Sequence, residues 1–448
     1  MPKYCHCLKK DDVLNKENYR PVAILSPLSK ILERVYYNQL YQYFDKNKLF
    51  HKNHHGFRKN RSTQTALLQL YDRWIRAANN GKINGVILLD LSAAFDLVDA
   101  ELLCMKLKEY GLDTLAIQWI KSYLEDRFQA VWINHTLSDW IKVDIGVPQG
   151  SILGPLMFIL FANDLPDSIS SELDAYADDS TMTESSEDIA IINQKLTESC
   201  EGIKTWMTEN KLCLNAGKTK LLVTGTSKRL NTLDKTRINI KIDGENIKPE
   251  ENEKLLGCYI QSNLKWTKHI SELLKKLKTR LTALVQVKNI APLSIRKMIY
   301  EGIFNSVLTY CIAIWGGLSQ QDLDDLQVIQ NKAIRVVLKK PPRTNRNEMF
   351  DQTNYMTVRQ LVVYHTLLNI YKIRLHKEPE YLYNCVHREN IRQNIVVEKT
   401  ELTLTRKGFI FRGAENWNSL PMEIRNIDKI GQFKPKLKQW LLKNVKRF

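Results

Sequence analysis

The chain has 448 residues, 44% of them apolar and 26% charged, with a net charge of +17. That length and balance exclude a disordered chain and a small disulfide-stapled domain, and suit roughly two to four globular modules. No run of 18 uninterrupted apolar residues occurs and the opening MPKYCHCLKKDD has no apolar centre, so neither a membrane-spanning helix nor a secretion signal is expected.

The charge is unevenly placed. Residues 1–89 sum to +10, residues 90–260 to −11 and residues 261–448 to +18. An acidic middle between basic flanks suits a metal-dependent enzyme acting on a polyanion, the flanks holding phosphates and the middle holding cations. A solvated basic surface is the plainer reading of the same charges. Cys5-His6-Cys7 has no second pair at zinc-ligand spacing and reads as incidental; the cysteines read as free thiols in a reducing compartment.

In chain order, Asn18 to Leu25 reads as extended, since Pro21 biases Arg20 away from helix. Ser26-Pro27 opens a helix to Phe44, with Ile31, Leu32, Val35 and Leu40 at helical spacing. A basic loop from His54 to Thr63 leads to a helix ending at Ala78. Gly85-Val86-Ile87-Leu88-Leu89-Asp90 reads as a buried strand closing on a carboxylate. Helices over residues 100–109 and 114–124 follow, then a strand pair, Gln129–Ile133 with Trp140–Val143, around a His135-Thr136 turn. An open Gly- and Pro-rich loop, Gly146 to Pro155, feeds a helix over Leu156 to Leu165; it matches neither a P-loop nor GxGxxG. Tyr176-Ala177-Asp178-Asp179 reads as a hairpin tip. A helix over residues 188–210 and short strands at Leu212–Leu214 and Lys220–Thr224 follow. Residues 225–254 read as a hairpin insertion, Leu255 to Ile260 as a strand, and residues 266–340 as basic helices ending at Pro341-Pro342. Further helices follow to about Leu375, and a basic helix closes the chain.

Two adjacent carboxylates at a tight turn repel, and a cation is the natural compensation. Alone, such a pair is an ordinary acidic turn. Asp90 changes the reading, because if its strand lies beside the hairpin, three acids converge 88 residues apart in sequence. Three oxygen donors suit Mg²⁺, and two ions roughly 4 Å apart suit nucleotidyl transfer. No nucleophilic Ser or Cys is needed.

From Asn18 to about Ile270 the sequence resembles a reverse transcriptase of the non-long-terminal-repeat (LINE, jockey-like) retrotransposons. NYRPVAIL and GFRKNRST resemble that family's fingers motifs. LLDLSAAFDLVD, GVPQGSILGPLMFILFANDLP and AYADD resemble its first three palm motifs. NKLCLNAGKTKLLV and KLLGCYIQSNLKWTKHI resemble the last two.

The resemblance implies a right-hand polymerase of α+β class: fingers over residues 1–89, an α/β palm over 90–260, a helical basic thumb over 261–340, and a helical C-terminal region over 341–448. It implies metal-binding roles for Asp90, Asp178, Asp179 and the carbonyl of Leu91, with two Mg²⁺ ions (or Mn²⁺) as cofactors. Phe95 matches the gate that collides with a ribose 2′-hydroxyl. Gln149 and Gly150 match the loop lining the incoming nucleotide, Arg20 and Arg58 match basic residues near the triphosphate, and Lys218 matches a lysine that protonates pyrophosphate. Leu256-Gly257 match a primer-gripping hairpin, and Asp96 belongs to the pattern in either a structural or a catalytic role. The implied partners are an RNA template, a DNA primer and dNTPs, inside the cell in nucleus and cytoplasm. The motifs begin almost at the first residue, so shortened fingers and no endonuclease domain are expected, and no ribonuclease H pattern follows residue 340. The competing reading is a relic that binds RNA or RNA–DNA duplex without catalysis.

Overall fold

The chain opens on an antiparallel strand pair, β1 (Lys3–Leu8) and β2 (Tyr19–Ile24). The computed structural model describes residues 3–8, 19–92, 94–133, 135–215, 217–234, 237–242, 244–397, 400 and 402–445. Helix α1 (Pro27–Lys46) follows, with the Ser26 hydroxyl accepting from the Leu28 amide and Pro27 in the first turn. Its inward face is the expected one only at Leu40. Ile31, Leu32 and Val35 are exposed, whereas Leu40, Tyr41, Phe44 and the carboxylate of Glu33 are buried. Helical spacing marks an apolar stripe but not what it faces.

Helix α2 (Thr63–Asn79) is capped by Ser62, whose hydroxyl and backbone amide exchange hydrogen bonds with Thr65. Then come β3 (Ile83–Ser92), α3 (Ala100–Glu109), α4 (Thr114–Leu124), β4 (Arg127–Ile133), β5 (Thr136–Leu137) and β6 (Ile141–Val143). Strand β4 pairs with β1, β5 and β6. Helix α5 spans Leu153–Phe161, three residues earlier than expected at its start. Gly154 and Pro155 sit in its first turn, where a proline's missing N–H leaves no intrahelical bond unmade.

The remaining central elements are β7 (Glu172–Tyr176), β8 (Asp179–Ser186), α6 (Ile189–Glu209), β9 (Cys213–Leu214) and β10 (Lys220–Thr224). They form an antiparallel sheet in the order β10-β3-β8-β7, with β9 continuing along the end of β3. Strand β3 is buried on both faces. Ile83, Ile87, Leu89 and Leu91 enter one core with α5 and α6, while Val86 enters another with α2 and the C-terminal helices. That is why residues 85–89 are an unbroken apolar run rather than an alternating one.

Within residues 225–254 lie a short helix, Ser227–Asn231, and a small hairpin, Lys241–Ile242 with Glu245–Asn246. The strand expected from Leu255 to Ile260 is instead a hairpin, Asn252–Leu255 with Cys258–Gln261, because Leu256 and Gly257 both take positive φ (43° and 86°) and turn the chain.

Beyond it the chain is helical, through Thr267–Val287, Gln320–Leu338, Val358–His376 and finally Ile430–Asn444. One apolar core runs across Pro341-Pro342, joining Leu277, Ile334 and Val337 to Phe350, Leu367 and Leu437. The result is the mixed helix-and-sheet class, with a helical C-terminal part, that the sequence implies. Among the described residues no helix is long and apolar enough to cross a membrane.

Candidate active site

Ala177 and Asp178 are the two turn residues between β7 and β8, with Tyr176 paired to Asp179. Ala177 has φ +58°, a left-handed conformation costing roughly 1 kcal/mol for a residue with a Cβ. Strand β3 pairs antiparallel with β8 so that Asp90 is the register partner of Asp179. Directly opposed residues share a face, and like charges so placed destabilise the sheet. The fold therefore sets two carboxylates against each other at one sheet end, with Asp178 next in the turn.

Partial compensation comes from Lys218, whose ammonium lies 3.3 Å from Asp90 Oδ2. Its loop is carried there by β9: Leu91 pairs with Leu214, and the Asn215 amide donates to the Asp90 carbonyl at 3.0 Å. Asp90 and Asp178 are half-buried and Asp179 is exposed. Among the described residues no three His, Cys, Asp or Glu side chains form a cage that could hold an ion by themselves, so the expected convergence is looser than a closed site. The donors are nonetheless all oxygens with excess negative charge. That set fits a hard divalent cation that completes its shell with water and substrate phosphate.

A segment outside the sheet clamps the turn. The Ala175 amide donates to the Asn53 carbonyl at 3.0 Å, and the His55 amide donates to the Ala175 carbonyl at 2.7 Å. A Cβ on Gly56 would lie 2.3 Å from the amide nitrogen of Ala177. Behind the turn, buried Asp174 accepts from Gln69 Nε2 at 2.8 Å and Arg73 Nη1 at 2.6 Å, and His55 Nε2 stands 3.5 Å away. Burial holds the His55 pKa below its ordinary value and pushes that of His54, with help from the Arg58 charge, down to about 3.

Phe95 follows β3 in a single turn, Ala94–Asp96. Its half-buried ring stacks on Phe158 (centroids 4.6 Å apart) and meets Phe57 edge-on at 6.2 Å. Gln149 Nε2 donates to both oxygens of Asp96 at 2.7 and 2.8 Å, which gives Asp96 a structural task. The Gln149 carbonyl accepts from Ala23 of β2 at 2.7 Å. Gly150 has φ +99°, and a Cβ there would meet the Ala23 carbonyl oxygen at 3.1 Å, so glycine is required at this approach. The loop's exit is held by Glu33, whose Oε2 accepts from the amides of Ile152 (2.6 Å) and Leu153 (3.4 Å).

Of the two predicted fingers arginines, one is not described and the other is turned inward. Arg20 lies in β2, and its side chain falls outside the described residues. Arg58 is buried, donating to the carbonyls of His51 and His54 and covering the Phe50 ring, so its guanidinium is committed inside the protein. The turn at Leu256-Gly257 is held by Tyr310, whose hydroxyl donates to the Leu256 carbonyl at 2.8 Å. Arg296, one of the basic residues of the stretch 266–340, is buried and donates to main-chain carbonyls. Lys275, Lys276, Lys278 and Arg280 are exposed on the helix Thr267–Val287.

Glu33, Gly56 and Asp174 escaped the sequence reading. Asp174, an acid between Leu173 and Ala175 in a buried strand, carried a usable signal. Glu33 carried none, because the apolar stripe beside it pointed to the opposite face.

Residues 8–260 match the family described as Reverse transcriptase (RNA-dependent DNA polymerase). Over 410 residues the chain is 27% identical to the Drosophila melanogaster "Probable RNA-directed DNA polymerase from transposon BS", covering 88% of this chain and 43% of that protein. It is also 27% identical over 336 residues to the "RNA-directed DNA polymerase from mobile element jockey" of the same species, covering 72% and 36%. The chain thus spans less than half the length of these curated relatives. A solved apo telomerase from Candida Tropicalis aligns over 98% of the chain and 69% of that structure, at 12% identity and a TM-score of 0.42.

Proposed function

This chain belongs to the reverse transcriptase (RNA-dependent DNA polymerase) family, and from that premise we propose that it extends a DNA primer on an RNA template, transferring nucleotides from dNTPs. The observation that carries the reading is the register pairing of Asp90 with Asp179 beside Asp178. Evolution of a stable sheet alone gives no reason to oppose two carboxylates at a strained turn.

Members of the family generally use divalent metal ions. Asp90, Asp178, Asp179 and the Leu91 carbonyl are the groups that would hold two Mg²⁺ ions, which when bound favour an attacking hydroxylate and a leaving pyrophosphate. The chain's own residues do the rest. Asp90 and Asp179 present the acidic edge at the end of a rigid sheet. Lys218, an ammonium paired with Asp90 at 3.3 Å, gives a proton to departing pyrophosphate in this reading.

Phe95, wedged between two aromatic rings just beyond Leu91, acts as the steric gate against a 2′-hydroxyl. Gln149 and Gly150, tied to Asp96 and to β2, line the nucleotide, and Arg20 neighbours the triphosphate. The exposed lysines of the helix Thr267–Val287 hold duplex phosphates. The site of action in this reading is inside the cell, in cytoplasm and nucleus.

The test is primer extension on an RNA template with Mg²⁺ and dNTPs. Wild-type chain incorporates nucleotide and Asp178→Asn falls to background. Equal incorporation by both refutes the catalytic assignment. A folded wild type without incorporation leaves RNA binding without synthesis as the function.

A further inference from the structure

The proposed polymerase activity assigns the C-terminal helical region no task. Its segment at Glu378–Tyr381 reaches back to the clamp beneath the acidic turn. Glu378 Oε2 accepts from Arg61 Nε at 2.8 Å and lies 2.6 Å from Arg61 Nη2, while its Oε1 stands 3.9 Å from Arg58 Nη2. The two arginines are almost fully buried. Their remaining donors go to the carbonyls of residues 51–54: Arg61 Nη1 to Lys52 and to His54 at 3.1 Å, and Arg58 Nη1 to His51 at 3.0 Å and His54 at 3.4 Å. Those carbonyls belong to the segment whose Asn53 and His55 pair with Ala175 and whose Gly56 sits under Ala177. Three residues on, the Tyr381 hydroxyl donates to Asp72 at 2.9 Å and its ring lies under Arg73, the residue that holds Asp174.

We infer that Glu378 is a positioning residue for the catalytic turn: it fixes Arg58 and Arg61, which pin residues 51–56, which set the height of Tyr176-Ala177-Asp178-Asp179 at the sheet edge. The physical need is plain. Two guanidiniums packed side by side repel, and burial with Arg58 alongside lowers the Arg61 pKa to about 10. Without the Glu378 carboxylate that pair of like charges is uncompensated, and the fork contacts to three main-chain carbonyls loosen together. Two backbone hydrogen bonds and the Gly56–Ala177 contact tie the segment directly to β7 and its turn, so its slack passes to the turn. The C-terminal region thereby becomes part of the polymerase rather than an appended module. The inference about catalysis rests on the proposed polymerase reading, but the mechanical part does not.

Glu378→Gln keeps the side chain's shape and removes its charge. Amide hydrogen exchange on the full chain is the deciding measurement. We expect faster exchange, by about tenfold, at His55, Ala175 and the 176–179 turn, with no change in the helix Thr267–Val287, which makes none of these contacts. In primer extension the same variant should lose about tenfold in kcat with KM for dNTP within twofold, since a displaced carboxylate impairs chemistry more than nucleotide binding. Unchanged exchange at His55 and Ala175 in a folded variant overturns the proposal whatever the activity. Altered exchange with unchanged kcat in an active enzyme overturns its catalytic half. An inactive wild type faults the polymerase reading instead. Should Glu378→Gln fail to fold, Arg61→Lys keeps the charge, loses the fork and must open the same amides.

Discussion

Gly56 and Ala177 touch backbone to backbone: a Cβ on Gly56 would stand 2.3 Å from the Ala177 nitrogen and 3.0 Å from its Cα. Residue 56 lies far from the acidic turn in sequence, yet no side chain fits between them. Gly56→Ala must lift either the loop or the turn, because the obstructing atoms are main chain. We expect a loss of about 1–3 kcal/mol in urea unfolding and at least about tenfold in primer extension. The double variant with Ala177→Gly should regain only the roughly 1 kcal/mol of its left-handed φ and no primer extension, since the clash is with main-chain atoms and not with the Ala177 methyl. Full recovery would show that the contact is not the constraint.

Phe95 is the second test. Its ring is held by Phe158 and Phe57 rather than free in solvent. If Phe95 is the proposed gate, Phe95→Val shortens it and should raise rNTP relative to dNTP incorporation by about tenfold or more. It should also cost about 1–2 kcal/mol through the space left against Phe158. Discrimination equal to wild type would remove the gate role.

Glu33 holds the loop from beneath. Its carboxylate accepts from the amides of Ile152 and Leu153 at the start of α5, two and three residues after Gly150. Glu33→Ala leaves those donors uncapped and should cost about 1–2 kcal/mol. KM for dNTP should rise more than kcat falls, because the loop lines the nucleotide in this reading. Lost stability with unaltered KM would reduce Glu33 to a helix cap.

Acid should loosen the clamp through His54. Neither ring nitrogen has a hydrogen-bond partner among the described residues, and burial holds the folded pKa at about 3 against an ordinary 6.5. Between those values the unfolded chain binds a proton that the folded chain refuses, so stability falls as pH drops below 6.5. The urea midpoint should decline from pH 6.5 to 4.5, and His54→Asn should flatten part of that decline. An unaltered slope would exclude His54 as a source.

The pattern of the sheet was legible because β3 is apolar on both faces and Asp90 ends it, and because an Asp-Asp pair between short strands reads as a hairpin tip. Ser26 and the proline after it marked a helix start by local chemistry alone. The inward face of α1 was not legible, since Ile31, Leu32 and Val35 form as good a stripe as the face that is buried. The turn at Leu256-Gly257 was legible through the family resemblance but not from local pattern, because Leu256 takes a positive φ that its residue type does not advertise.

What the sequence by itself determined was which residue types carry the proposed chemistry: three acids, an aromatic after the first, a Pro-Gln-Gly loop and a lysine, in an order that matches one enzyme family. Those are short-range patterns of residue type, and spacing preserves them. What only the tertiary structure decided was which distant groups hold that chemistry in place. The Asp90–Asp179 register is set by how β3 and β8 align over their whole length. The clamp of Gly56, Arg61 and Glu378 joins residues more than three hundred positions apart. Such contacts depend on where chain segments meet once two cores have closed around one sheet, and no local pattern encodes that meeting.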